Sequence, residues 1–407
     1  MTVQFDSDVR YRDSVTQADP KRWAWFAGGL WVFAMPFIAM AIYFLNDGAL
    51  WTVFILPVHT FVLIPLIDFL VGEDLTNVDA GDVNRLAADP FYMRIAHILV
   101  VSGHISVIGG IGFIATQSLP IWAIAVLTFG LGVASASLIN LAHELGHKTR
   151  PIDQLMARLS LAGVGYGHFC ISHNQGHHIH VSTPEDSASS RMGENVYQFA
   201  LREIPAAITG AWRIEARRLR RKGMAVWSCH NRILMTHAVT LSIMAVLTAL
   251  WGWVVLPIMV VHHFVAWSVL TCVNYIEHYG LLRQKLDDGR YEPCQPHHSW
   301  NTNHIVSNVL QIHLQRHSDH HANPMRPYQT LRNFPDLPRL PSGYPGCLVL
   351  SSIPPLWFAV MDPKVMAWAD GDLSRVNIHE PARKRLERRW AHPTPTPVST
   401  AINPALR

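Results

Sequence analysis

Apolar residues do not alternate along this chain; they come in long runs. Six runs are long enough to cross a hydrocarbon layer as helices, which takes about 20 mostly apolar residues each. They cover 23–45, 49–71, 95–116, 119–142, 233–255 and 256–279. The connections after the first, third and fifth runs, near Asn46, Gln117 and Leu256, are only a few residues long. Alternating spans therefore collect these turns on one face. The opposite face receives both termini, the loop 72–94, the segment 144–232 and everything beyond 280. The pattern predicts an all-α protein, a six-transmembrane helix bundle with a cap of helical and irregular structure. Small-residue clusters at Gly109, Gly110 and Gly112, and at Gly130, Gly132 and Ala134, let neighbouring helices approach closely.

Charge orients the bundle. Arg10, Arg12, Lys21 and Arg22 precede the first run, and Arg213, Arg217, Arg218, Arg220, Arg221 and Lys222 precede the fifth. The positive-inside bias makes that face cytoplasmic, and an arginine run there suits a helix face near lipid headgroups. The start, MTVQFDSDVRYRDSV, lacks the basic and apolar regions of a cleaved signal peptide, so the first run is expected to be a true span. The expected organisation is a cytoplasmic N-terminal tail (1–22), helices one to four (23–142), a cytoplasmic segment (143–232), helices five and six (233–280), a cytoplasmic cap (281–390) and a Pro/Thr-rich tail or linker (391–407). Charged residues make up 15% of the chain, below the roughly 25% of soluble domains. The net charge of +4 is mild, and no nucleic-acid partner is expected.

Histidine changes the picture. The chain has 24 of them, while its five cysteines form no CxxC pair, so neither a disulfide framework nor a thiolate metal site is readable. Nine histidines fall in four motifs: His143 and His147 in HELGHK; His173, His177 and His178 in SHNQGHH; His278 in NYIEHYG; and His317, His320 and His321 in RHSDHH. All four motifs belong to the cap face, which argues for one composite site. Helical spacing points His143 with His147, His173 with His177, and His317 with both His320 and His321 at shared centres. Adjacent His177 and His178 diverge by about 100° and reach two different metals. Nine imidazoles exceed the four to six ligands of one ion, so two metals is the simplest count. Glu144, Asp186, Glu277 and Asp319 stand near the motifs, where a carboxylate accepts the second N–H of a ligating imidazole. Lone histidines inside spans, His59, His104 and His237, are ordinarily packed and hydrogen-bonded.

HELGH also fits the HExxH zinc-protease pattern, with the Glu as general base. Such an enzyme uses three protein ligands, which leaves six of the nine histidines without a role. A metal transporter would hold its histidines near the bilayer midplane. A pair of redox-active irons at the mouth of a helix bundle accounts better for both number and place.

The four motifs, with PLIDFLVGEDLTN (65–77), NHIVSNVLQIHLQRHSDHHANPMRPYQTLR (303–332) and LPSGYPGC (340–347), resemble the membrane alkane 1-monooxygenases from the first span to about Asp362. The resemblance implies hydroxylation of the terminal methyl of medium-chain n-alkanes to 1-alkanols by a non-haem diiron centre that consumes O2. Electrons would come from reduced rubredoxin, which an NAD(P)H-dependent rubredoxin reductase recharges. It implies a bacterial cytoplasmic (inner) membrane location with both termini and the active site on the cytoplasmic side, and the nine histidines as iron ligands. The second motif departs from the family in carrying Ser172 where Glu is common. No rubredoxin cysteine pattern is present, so the donor is a separate protein or one joined beyond the 391–407 segment. Membrane desaturases share the histidine-box plan but usually carry HxxHH boxes; HNQGHH and the isolated His278 favour hydroxylation. Terminal selectivity calls for a narrow substrate tunnel. Trp51, Ile55, Val58 and Val62 share one face of the second span, with His59 and Leu66 at its margin, and with Ile105 and Phe113 of the third span they are candidate wall positions.

Overall fold

The computed structural model describes residues 19–390; Arg10, Arg12 and the 391–407 tail lie outside the described residues. Helix α1 (Arg22–Leu45) leads into α2 (Leu50–Val71), and α3 (Pro90–Thr116) into α4 (Ile121–Gly146). A short α5 (Pro151–Ala162) and a long α6 (Val196–Arg221) precede α7 (Arg232–Trp251) and α8 (Val255–His278). All but α5 and α6 are long and apolar enough to cross a membrane, and no β-strand occurs among the described residues. The chain is a multi-pass, all-helical membrane protein.

Helix boundaries follow local chemistry. Pro90 opens α3 where its missing N–H costs nothing, and the Asp89 carboxylate accepts the Phe91 N–H at 2.9 Å. Asn195 and Gln198 form a reciprocal capping box at the start of α6, and Asn231 accepts from Ile233 and Leu234 at the start of α7. Small residues set the helix spacing. A Cβ on Gly110 would lie 2.7 Å from Leu131 of α4, and one on Gly132 would lie 2.8 Å from Val265 and 3.0 Å from the His262 carbonyl of α8.

Helix α4 runs four residues beyond the expected end of the fourth span, so His143 sits on a continuous helix. The cap beyond α8 contains an elbow, α9 (Tyr344–Ser351) and α10 (Pro354–Trp368), bent by 117°. Pro354 and Pro355 cannot supply the N–H groups that would continue α9. The pair together is apolar enough to form a broken span, although its sequence lies in the region expected to be cap.

Gly132→Val should lower thermal stability in detergent by about 1–3 kcal/mol, because the new methyls meet α8 backbone that cannot swing aside. Gly81→Ala, where a Cβ meets nothing within 4 Å, should leave the unfolding temperature unchanged.

Candidate metal centre

The nine motif histidines converge at one end of the bundle. His143 ends α4 and His147 caps it; His278 ends α8; the other six come from the 173–180 segment and the short helix His317–Ala322. Their nitrogens form two groups, each with donor atoms within 4.8 Å of one another: His143, His147, His173, His178 and His320 in one, His177, His278, His317 and His321 in the other.

This division corrects part of the helical-spacing expectation. His177 and His178 do separate into different groups, but His173 joins His178 rather than His177, and His320 parts from His317. The cause in the second motif is a π turn over His173–His177. Its i→i+5 repeat brings His173 and His178 to one side, with their Nε2 atoms 3.0 Å apart.

Facing nitrogens recur throughout. Nε2 pairs lie 3.2 Å apart for His178 and His320, 3.2 Å for His177 and His321, and 2.8 Å for His317 and His321. Nε2 of His143, His147 and His278 is buried without a hydrogen-bond partner. Lone pairs aimed at each other repel unless a cation lies between them. Ligands about 2.1 Å from one ion and at right angles are about 3 Å apart, so the spacing fits metal coordination. Burial, reinforced by the neighbouring imidazoles, holds His173, His178, His317, His320 and His321 well below the usual histidine range, and burial with nearby Lys148 brings His147 down to about 3. They are therefore neutral near pH 7, the form a metal requires.

The four carboxylates behave differently from one another. Asp186 Oδ2 accepts the Nδ1–H of His177 at 2.7 Å, which leaves Nε2 for the group interior. Burial pushes the Asp186 carboxyl up, but His177 and the Ser189 and Ala188 hydrogen bonds outweigh it and the carboxyl stays below its ordinary value. Glu277 lies 3.2 Å from His317, but at the inward Nε2, and its other oxygen accepts the Tyr344 hydroxyl. Asp319 does not orient an imidazole: it receives Arg326 at 3.1 Å, Arg332 at 2.9 Å and Asn323. Glu144 pairs with Lys148 at 2.8 Å and accepts the Tyr328 N–H at 3.4 Å. A carboxylate so engaged is not placed as the general base of an HExxH protease.

The expected tunnel wall needs a larger correction. Trp51, Val58, Val62, Leu66 and Ile105 are 43–58% exposed on the outer surface of the bundle, and Ile55 and His59 are half-buried. His59 Nε2 accepts the Trp31 indole N–H at 3.0 Å. Phe113 does line an apolar pocket among α1–α4, with Tyr43, Thr52, Leu56, Gly110 and Leu131. An apolar periodicity marks a face of a membrane helix without saying whether that face meets lipid or core.

A third cluster, Glu292, His297 and His298, was absent from the sequence expectation. His298 Nδ1 accepts the Gln295 N–H at 2.9 Å, so its proton resides on Nε2 and is donated to Glu292 at 3.1 Å. That is a loop clasp, and its carbonyl accepts from His278 Nδ1 at 3.4 Å, which turns His278 Nε2 inward. Sequence reasoning also missed Tyr344, whose spacing from Glu277 gives no local signal.

Residues 118–344 match the fatty acid desaturase family. An alkane 1-monooxygenase of Pseudomonas putida is 45% identical over 92% of both chains. One from Ectopseudomonas oleovorans is 44% identical over 92% of this chain and 93% of its own, and one from Alcanivorax borkumensis is 42% identical over 93% of each. Six spans, a histidine-lined centre at one end of them and relatives matched along nearly the whole length agree: the chain belongs to the alkane 1-monooxygenase family of membrane alkane hydroxylases.

Proposed function

We propose that this protein hydroxylates the terminal methyl of medium-chain n-alkanes, using O2, a pair of non-haem irons and electrons from reduced rubredoxin. The observation that carries the reading is the division of nine histidines, eight of them buried, into groups of five and four whose donor nitrogens cluster. His143, His147, His173, His178 and His320 would hold one iron, and His177, His278, His317 and His321 the other. The irons would supply O2 activation. Imidazole alone is compatible with zinc or copper; two centres in a chain of this family favour iron. Rubredoxin and its NAD(P)H-dependent reductase complete the electron supply. The arginine-rich flanks support a cytoplasmic orientation for the centre in the bacterial inner membrane, with the 143–232 segment and the 281–390 cap on that side.

The chain's own residues do the positioning. Asp186 fixes the His177 tautomer, and the His298 carbonyl does the same for His278. The apolar pocket beside Phe113 and Leu56 supports a distal stop for an extended alkane whose methyl end lies at the metals. Each CH2 buried there is worth about 0.8 kcal/mol.

Purified protein should contain two irons per chain and convert octane to 1-octanol with reduced rubredoxin and O2; one zinc, no iron and no O2-dependent product would sink the reading. Asp186→Asn should weaken metal retention about 10–100-fold in chelator competition while the helical circular-dichroism signal persists. Leu56→Ala should shift the preferred chain length upward by a methylene or more in product profiles. Trp51→Ala, on the outer surface, should leave that profile as it was.

A further inference from the structure

A second, polar cavity of about 400 Å³ adjoins the histidines on the α6 side and has no role in the scheme above. At roughly 30 Å³ per water it has room for about a dozen. Its mouth carries the exposed side chains of His180, Glu185, Arg213 and Arg217; its inner wall carries buried His177, Asp186 and Glu203. The lining thus runs from solvent to a residue of the four-histidine group.

Glu203 is the unusual member. It lies in the buried stripe of α6, between Phe199 and Ala207, where an apolar residue would pack more favourably. Glu215, three turns later and equally buried, shows what a structural carboxylate looks like in this helix. Burial pushes Glu215 up, but the Arg218 and Arg232 guanidiniums, at 2.6 and 2.8 Å, hold it at about 2. Glu203 has no such partner. Its Oε2 accepts the Thr271 hydroxyl at 3.0 Å, and neighbouring Arg202 is turned toward Glu194 and the carbonyls of Ser187 and Ser189. The groups around it are Asp186 and His177 from the preceding segment, Tyr166, Cys272 on α8, and Arg202 on its own helix. Burial, with Asp186 adding to it and Thr271, His177 and Arg202 opposing it, brings Glu203 up to about 7.

The hydroxylation on which this inference rests consumes protons: R–CH3 + O2 + 2 e− + 2 H+ → R–CH2OH + H2O. One oxygen atom enters the C–H bond and the other leaves as water; the electrons come from the donor protein and both protons from solvent. An apolar bundle supplies none. We propose that the polar cavity is the proton route to the metal centre and that Glu203 is its relay, taking protons from cavity water at the mouth and passing them to water on the Asp186 side. Glu203 donates only while protonated, so turnover of the unmodified enzyme declines as rising pH ionises it.

The test uses iron-loaded enzyme and three variants: Glu203→Gln, Glu203→Asp and Gly210→Leu. A Cβ at Gly210 meets nothing within 4 Å and the residue lines the cavity, so a larger side chain there starts in open space. In the resting protein, infrared spectra should show a carboxylic-acid C=O band that is lost as pH rises and is missing from Glu203→Gln. That variant should keep its iron, lose on the order of 100-fold in turnover and lose the decline at raised pH. Glu203→Asp should recover part of the rate, and Gly210→Leu should lose turnover with iron intact. A Glu203→Gln enzyme with unaltered rate and pH profile overturns the proposal. Should that variant fail to hold iron, an unimpaired Gly210→Leu enzyme overturns it equally. Absence of alcohol from the unmodified enzyme would instead defeat the hydroxylase reading and this inference with it, an outcome distinct from either variant result.

Discussion

The structure depends on gathering nine imidazoles with their nitrogens pointed at one another at the end of an apolar helix bundle. Protonation of any one would place a positive charge beside its neighbours with little water to screen it, and burial makes that costly. The same burial leaves nitrogen lone pairs without hydrogen-bond partners, as at His143, His147 and His278. An arrangement that is unfavourable empty is favourable around cations. The nitrogen spacings of 2.8–3.2 Å follow from that balance.

The rest of the cap holds these rings in place. Two of the histidines ride on the ends of α4 and α8, spans that pack closely through Gly132, and these ends form the rigid part of the centre. The remaining rings come from segments that need anchoring. Asp319 does this for the third motif by gathering Arg326, Arg332 and Asn323, and Arg316 does it by donating to the carbonyls of Leu331, Asp74 and Thr76. Asp68, fully buried in α2, accepts the Ser307 N–H at 3.0 Å and ties the cap to the bundle. Of the carboxylates near the motifs, Asp186 thus orients an imidazole, Glu144 and Asp319 tie down the segments that carry imidazoles, and Glu277 lies against the inward nitrogen of His317.

Much of this was legible in the sequence. The six spans follow from run length alone, since only continuous apolar helices satisfy their backbone in lipid. The nine histidines followed from clustering, and the need for two centres from their number. The pairing within each centre was not legible, because it turns on a π turn at His173–His177 that no spacing rule anticipates. The tunnel face failed for a different reason. In a soluble helix one apolar stripe means core, but in α2 both sides are apolar, and the smaller Thr52 and Leu56 face inward while Trp51 and Val62 face out. Glu144 and Asp319 are close to histidines along the chain, yet arginine and lysine side chains reach them first.

A centre that joins an alkane, O2, electrons and protons must admit reactants of opposite polarity without letting bulk water in. The bundle keeps apolar and polar space apart. Among the spans, the pocket enclosed by α1–α4 holds no charged side chain. Toward α6, the wall carries Arg213, Arg217, Glu185 and His180 at its mouth and Glu203 within. Amphipathic α6 makes this possible: Phe199 and Ala211 of its buried stripe pack into the interior, while Glu203, Ala207, Gly210, Arg213 and Arg217 line the cavity from its inner wall to its mouth. Were Glu203 paired with arginine as Glu215 is, it would be an ionised anchor with no proton to give. The absence of a guanidinium at that one position distinguishes a wall from a conduit.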